Sequence, residues 1–191
     1  MKSTFWDLIQ PQDYMHTWVI SDTHFGHKNI FKFEPQIAEM CGGDIDVHDQ
    51  MIVDNINRCI GDHPDAIFVH LGDIAFGEGL ALKYISKIRA KTKYLVMGNH
   101  DTMSAQFYLD CGFTDVMSSF KCRRVLFSHF PISPFELVGT EGGWGNYIGN
   151  VHGHIHGHLI PDSRYYNACV EHHQMSPVRL DDILSGFGIA I

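Results

Sequence analysis

The sequence contains no run of apolar residues near the ~18 that a membrane-crossing helix requires, and no basic stretch leading into a short apolar one. Neither a membrane span nor a secretory leader is therefore expected. No block of Lys or Arg occurs, and the net charge is -8 with His neutral. The electrostatic footprint for duplex nucleic acid is missing, so no stable duplex partner is expected. Cysteine is sparse: Cys41, Cys59, Cys111, Cys122 and Cys169 are odd in number, widely spaced and form no C-x-x-C pair. That pattern argues against a disulfide framework and for a reduced, cytoplasmic protein. Charged residues make up only 19% against 45% hydrophobic, which excludes a disordered chain. Repeats, heptads and an interdomain linker are absent too, and 191 residues suit one domain over 1–191.

Histidine, by contrast, is abundant: there are 14, as many as Lys and Arg together. Four stand on alternate positions in Val151-His152-Gly153-His154-Ile155-His156-Gly157-His158. In an extended segment side chains two apart project to one side, so His154 and His156 would lean toward one metal centre. A solvated His-rich tract is the alternative. Three earlier strand-like runs also end in metal-ligand side chains: Val19-Ile20-Ser21-Asp22-Thr23-His24, Val69-His70-Leu71-Gly72-Asp73 and Leu95-Val96-Met97-Gly98-Asn99-His100-Asp101. A fourth is Ser128-His129-Phe130-Pro131.

Periodicity predicts strands at 18–21, 66–71 and 94–97. Between them lie amphipathic helices at 47–60, opened by Asp46, and around Ala81, Tyr84, Ile85 and Ile88. Strand, helix, strand implies parallel pairing with crossovers, and open α/β sheets place ligands beyond the carboxyl ends of their strands. The first three clusters sit at such ends. A helix follows near 104–110, then short strands at 116–120, 124–128, 147–152 and 165–170. These predict a mostly antiparallel second sheet, closed by a short helix at 180–184. Phe5, Trp6, Leu8 and Ile9 read as a packed lead-in. The irregular stretch 131–149, with Glu141-Gly142-Gly143-Trp144-Gly145 at its centre, has the length of one that shapes a site.

The resulting inventory is Asp22, Asp73, Asn99, His24, His129, His154 and His156, with no thiolate among them. Hard oxygens mixed with imidazoles suit transition ions such as Mn, Fe, Zn, Co or Ni, with Mg also compatible and Mn the first choice. The donors are too many for one tetrahedral ion, whereas two ions about 3.5–4 Å apart and sharing a carboxylate would use them all. Such a pair acidifies a bridging water and clamps a phosphoryl group, so in-line hydrolysis of a phosphate ester by a bridging hydroxide is the expected chemistry.

Asp22-x-His24, Gly72-Asp73, Gly98-Asn99-His100-Asp101, His129 and Gly153-His154-Ile155-His156 occur in the order found in the calcineurin-like metallophosphoesterase family, which the sequence resembles. Ser21-Asp22-Thr23-His24-Phe25-Gly26-His27 looks like its small stand-alone bacterial and phage members. The resemblance implies an α/β, four-layer αββα sandwich, two mixed sheets flanked by helices. It implies that Asp22, His24 and His156 hold one metal, Asn99, His129 and His154 a second, and that Asp73 bridges. His100 would protonate the departing alkoxide, with Asp101 orienting its ring, and His27 would contact substrate phosphate.

One departure matters: Gly72-Asp73 continues as Ile74-Ala75-Phe76, without the second acid or the Arg of protein phosphatases. A protein phosphoserine phosphatase is therefore disfavoured, and the resemblance to small family members implies a small phosphodiester substrate, 2′,3′-cyclic nucleotides among the candidates. Competing readings are a phosphomonoesterase, a nuclease, a non-catalytic scaffold on the same fold, and a metal store.

Overall fold

The computed structural model describes residues 8–139 and 145–191. Its first half alternates strands and helices: β1 (Thr17–Ile20), α1 (Ile30–Phe33), α2 (Pro35–Cys41), α3 (Ile45–Ile60), β2 (Ile67–His70), α4 (Glu78–Ile85), β3 (Thr92–Val96), α5 (Ala105–Asp110) and β4 (Asp115–Met117). The strand expected at 116–120 is two: β4 ends, and β5 (Ser119–Cys122) begins the other sheet. There follow β6 (Val125–Ser128), β7 (Gly149–His152), β8 (Tyr165–Asn167), β9 (Val178–Arg179) and α6 (Leu180–Gly186).

Helix α3 shows how the chain specifies its elements. Asp44 caps it by accepting from the Asp46 amide, Ile52, Val53, Ile56 and Ile60 bury one face, and Gly61 at φ 61 stops it. Helices of this kind are the crossovers that parallel strands need.

The first sheet has the order β4-β3-β2-β1-β9, parallel throughout except for antiparallel β9. The second has the order β5-β6-β7-β8. Only β5 and β6 pair antiparallel; β6–β7 and β7–β8 are parallel. The expectation of a mostly antiparallel second sheet fails here. Short strands suggest hairpins, but the long connection from Ser128 to Gly149 and the turn after His152 return the chain in the same direction.

Alternation along the first sheet assigns its faces. Trp18, Ile20, Phe68 and Leu95 pack with Ile52, Ile56, Tyr84, Ile85 and Tyr108 under the helices. Val19, Val69 and Val96 pack instead with Phe120, Val125, Phe127 and Val151 of the second sheet, and with Leu180, Ile183 and Leu184 of α6. The molecule is thus two mixed sheets face to face with flanking helices. Leu8 and Ile9 of the expected lead-in join the inter-sheet cluster; Phe5, Trp6 and 141–144 lie outside the described residues. Among those residues no helix is long and apolar enough to cross a membrane.

Candidate metal centre

The carboxyl ends of β1, β2 and β3 lie side by side because the strands pair in register, Ile20 with His70 and His70 with Leu95. The residues just beyond them therefore meet. The turn after β7 reaches the same place: Gly153 donates to the His129 carbonyl, and His154 donates its amide to Asp22. Two groups result, Asp22 with His24 and His156, and Asp73 with His129 and His154, each with ligand atoms within 4.8 Å of one another.

Each carboxylate has one oxygen held and one offered. Asp22 Oδ2 accepts from Ser21 Oγ at 2.5 Å, the His154 amide at 2.9 Å and the Cys169 thiol at 3.2 Å. Its Oδ1 has no hydrogen-bond partner among the described residues, though fully buried, and lies 3.6 Å from His24 Nε2 and 3.9 Å from His156 Nε2. Asp73 Oδ1 accepts from the His100 amide at 2.8 Å. Its Oδ2 stands 3.6 Å from His24 Nε2 and 3.4 Å from His129 Nε2, so one oxygen faces both groups.

The imidazoles are aimed as metal ligands are. His129 Nδ1 meets the Leu71 carbonyl at 2.8 Å, turning Nε2 toward Asp73 and toward Asn99 Oδ1 at 3.1 Å. With oxygens at both nitrogens, only a cation between them, proton or metal, relieves the repulsion. Although burial works against it, the Asp73 hydrogen bond and the charges of Asp22 and Asp73 raise the His129 pKa. His156 Nδ1 meets buried Glu171 at 2.8 Å. Burial lowers its pKa, but the Glu171 hydrogen bond and charge, then Asp22 and Glu34, push it up to about 9. His24 is buried with both ring nitrogens unpartnered among the described residues.

Burial opposes ionisation of Asp22, yet the adjacent His24 imidazole, the charges of His129 and His24, and the Ser21 hydroxyl outweigh it and hold the carboxyl well below its ordinary range. A buried anion and a buried imidazole lacking partners cost several kcal/mol, roughly, unless a cation joins them. The residues therefore fit metal ions.

Backbone strain falls at the same residues. Among the described residues, nine that are not glycine have positive φ, and five of them are Asp22, His24, Asp73, His154 and His156. Each left-handed residue costs on the order of 1 kcal/mol or more and persists where surroundings over-determine it. His154 and His156 are thus not in an extended segment facing one centre, as the alternation suggested. The strand ends at His152, and φ values of 70 and 48 send the two rings to different groups.

The remaining expected residues separate. The exposed His100 ring stands outside both groups, 5.4 Å from the His24 ring, and lines a cleft of about 640 Å³. Asp101 does not orient it. Asp101 is buried and accepts from the amides of Asp73 and Gly98, each at 2.8 Å, and of Ile74 at 3.0 Å. It clamps the turn after β2 to the turn after β3. His27 lines the cleft with its ring stacked 4.2 Å from Phe76; burial, then the nearby His24, His100 and His156, lower its pKa. None of the described residues of 131–149 lines this cleft, contrary to expectation; Asn29, Ile30, Phe33, Glu34, Phe76, 154–156 and His158 do.

Residues that sequence reasoning missed include Glu171 behind His156, Ser21 and Cys169 behind Asp22, and buried Asp49, which accepts from the Gly26 amide at 2.9 Å and braces the His24–His27 loop. Glu171 precedes His172-His173 in the sequence, a weak sign; the others carry no local signal.

A profile of calcineurin-like phosphoesterases matches residues 15–186. The chain belongs to this family. Family and paired donor groups together support a metal-dependent phosphoric ester hydrolase. Among solved structures, a protein of unknown function from Aquifex aeolicus aligns over 88% of this chain and 97% of its own, at a TM-score of 0.63 and 23% identity. That is a likeness of fold. The nuclease MPE of Pseudomonas putida aligns over 74% of this phosphoesterase and 62% of its own chain, at a TM-score of 0.48 and 14% identity. No curated protein matches the sequence significantly.

Proposed function

We propose that the protein is a dinuclear metal-dependent phosphodiesterase for a small ester, with 2′,3′-cyclic nucleotides among its candidate substrates. In this reading Asp22, His24 and His156 hold one ion, Asn99, His129 and His154 the other, and Asp73 joins them. The observation that carries it is the position of Asp73 Oδ2, shared between His24 and His129. Two such ions, manganese the first candidate, supply Lewis-acid polarisation of the phosphoryl oxygens and a water of lowered pKa.

The chain's own residues do the rest. His100, tethered through its amide to Asp73 and free at its ring, donates to a phosphoryl oxygen and delivers a proton to the departing alkoxide. Asp101 keeps the two turns in place around it. A cleft of about 640 Å³ supports a small-molecule substrate. No Lys or Arg is among the described residues lining it, and Glu34 adds negative charge, which favours the singly charged diester over a monoester. Cys41, Cys59, Cys111, Cys122 and Cys169 are thiols rather than disulfides, which suits the proposed cytoplasmic placement.

Turnover of bis-p-nitrophenyl phosphate and p-nitrophenyl phosphate with Mn, Ni, Zn and Mg tests the reading. Metal-dependent hydrolysis favouring the bis-ester is expected, with His100→Ala losing about 10²-fold or more in kcat while keeping its metal. Metal binding without turnover would overturn the enzyme, and preference for the monoester would overturn the diester assignment.

A further inference from the structure

We propose that the outer part of the cleft is a stacking seat for a flat aromatic ring of the substrate, a nucleobase, built by Phe33, His27 and Phe76. The inference rests on the phosphoesterase reading and specifies what the substrate carries besides its phosphate.

Phe33 is 71% exposed although it is a large apolar residue. Its position follows from the sequence: Pro35 drives Glu34 out of helical conformation, to φ -125 and ψ 75, so α1 stops at Phe33 and leaves the ring at the lip of the cleft. From there a run of rings leads inward. Phe33 and His27 lie 6.4 Å apart with planes 20° from parallel; His27 and Phe76 are 4.2 Å apart and 11° from parallel. Phe76 is 5.1 Å from His100 and 5.5 Å from His24. The ladder ends at the proposed acid and at a proposed metal ligand.

Near-parallel faces beside the reacting groups are what a flat ring continues by stacking. An aliphatic or an anionic substituent gains little from them. The cleft volume of about 640 Å³ has room for a nucleotide. Asn29 and Glu34 line the same cleft and offer an amide and a carboxylate to the edge of a seated base.

Two paired comparisons test the seat. Calorimetry on the Mn-loaded protein compares adenosine 5′-monophosphate with ribose 5-phosphate, and turnover compares 2′,3′-cyclic AMP with glycerol 1,2-cyclic phosphate. Each base-bearing compound should be preferred about tenfold or more. Phe33→Ala should bring both preferences down to about twofold or less, and Phe33→Trp should retain them. Wild-type preferences near one, or preferences that Phe33→Ala leaves intact, would overturn the seat. Phe33-dependent binding of the monophosphate with no ester hydrolysed would sink the hydrolase reading and keep the seat. Hydrolysis without any preference for the base would do the reverse, and failure of both binding preference and turnover would remove both.

Discussion

At Asp22 and Asp73 alike, one oxygen is held by the protein and the other is presented to a site. Ser21, Cys169 and the His154 amide hold Asp22 Oδ2, and the His100 amide holds Asp73 Oδ1. Holding one oxygen fixes the direction of the other, so the donors are arranged before any cation arrives. Asp73→Asn should lose both metals by elemental analysis and about 10²-fold or more in turnover, because its Oδ2 faces both groups. Two metals per chain with full turnover would remove the bridge. Glu171→Gln keeps the shape behind His156 but removes the charge, and should weaken an ion at the Asp22–His24–His156 group about 10–100-fold in a chelator competition. Unchanged affinity would leave Glu171 a packing residue. The identity of the donors was legible in the sequence because His, Asp and Asn have few reasons to collect at the ends of apolar runs. The residues behind them were not, since Ser21, Asp49, Cys169 and Glu171 act through neighbours supplied by the fold.

Between the strands and the site stand the turns, and they decide where each side chain goes. Helix α3 followed from an apolar face of period 3.6 and a terminal glycine, although its cap is Asp44 and not the expected Asp46, and the short helices α1 and α2 were not expected at all. The turns obey no period. Asp22, His24, Asp73, His154 and His156 adopt left-handed conformations that the alternation of histidines does not reveal. Glycines let these turns close on one another: a Cβ at Gly153 would strike Ser21 Oγ and Asp22 Oδ2, and one at Gly98 would strike Asp73. Gly153→Ala should therefore push the Asp22 carboxylate aside. The expected result is at least about tenfold weaker binding of one ion, with thermal unfolding still cooperative. Wild-type affinity in a folded variant would show that the turn tolerates the methyl group.

Across the whole molecule, the site is the seam where the two sheets and the helix-covered face meet, and it buries ionisable groups there. His70, at the end of β2, accepts the Gly72 amide at Nδ1 and faces Thr23 Oγ1 at 3.0 Å through Nε2. Since Thr23 gives its hydroxyl proton to the Ile74 carbonyl, His70 donates from Nε2 and is neutral. Burial lowers its pKa to about 4, against the pull of Asp101, Asp22 and Asp73. The unfolded chain takes up this proton near pH 6.5 and the native one near 4. The contribution to stability is thus full above about pH 6.5 and is lost as pH falls from there toward about 4. Urea unfolding of the metal-free protein at pH 7 and pH 5 should show wild type losing about 2 kcal/mol more than His70→Asn. Equal losses would mean that His70 is protonated in the native state.

By itself the sequence determined which atoms are available for chemistry and in what order along the chain they come, along with the alternation of strands and helices in the first half. Side-chain type and local period are properties of short segments, and they survive without tertiary context. The tertiary structure alone decided the parallel pairing of the second sheet and the left-handed turns that carry His154 and His156 to their two groups. It also decided that Asp101 clamps backbone rather than His100, and that an exposed Phe33 heads a line of rings. These depend on where distant segments land when two apolar faces are buried against each other, and no local pattern records that.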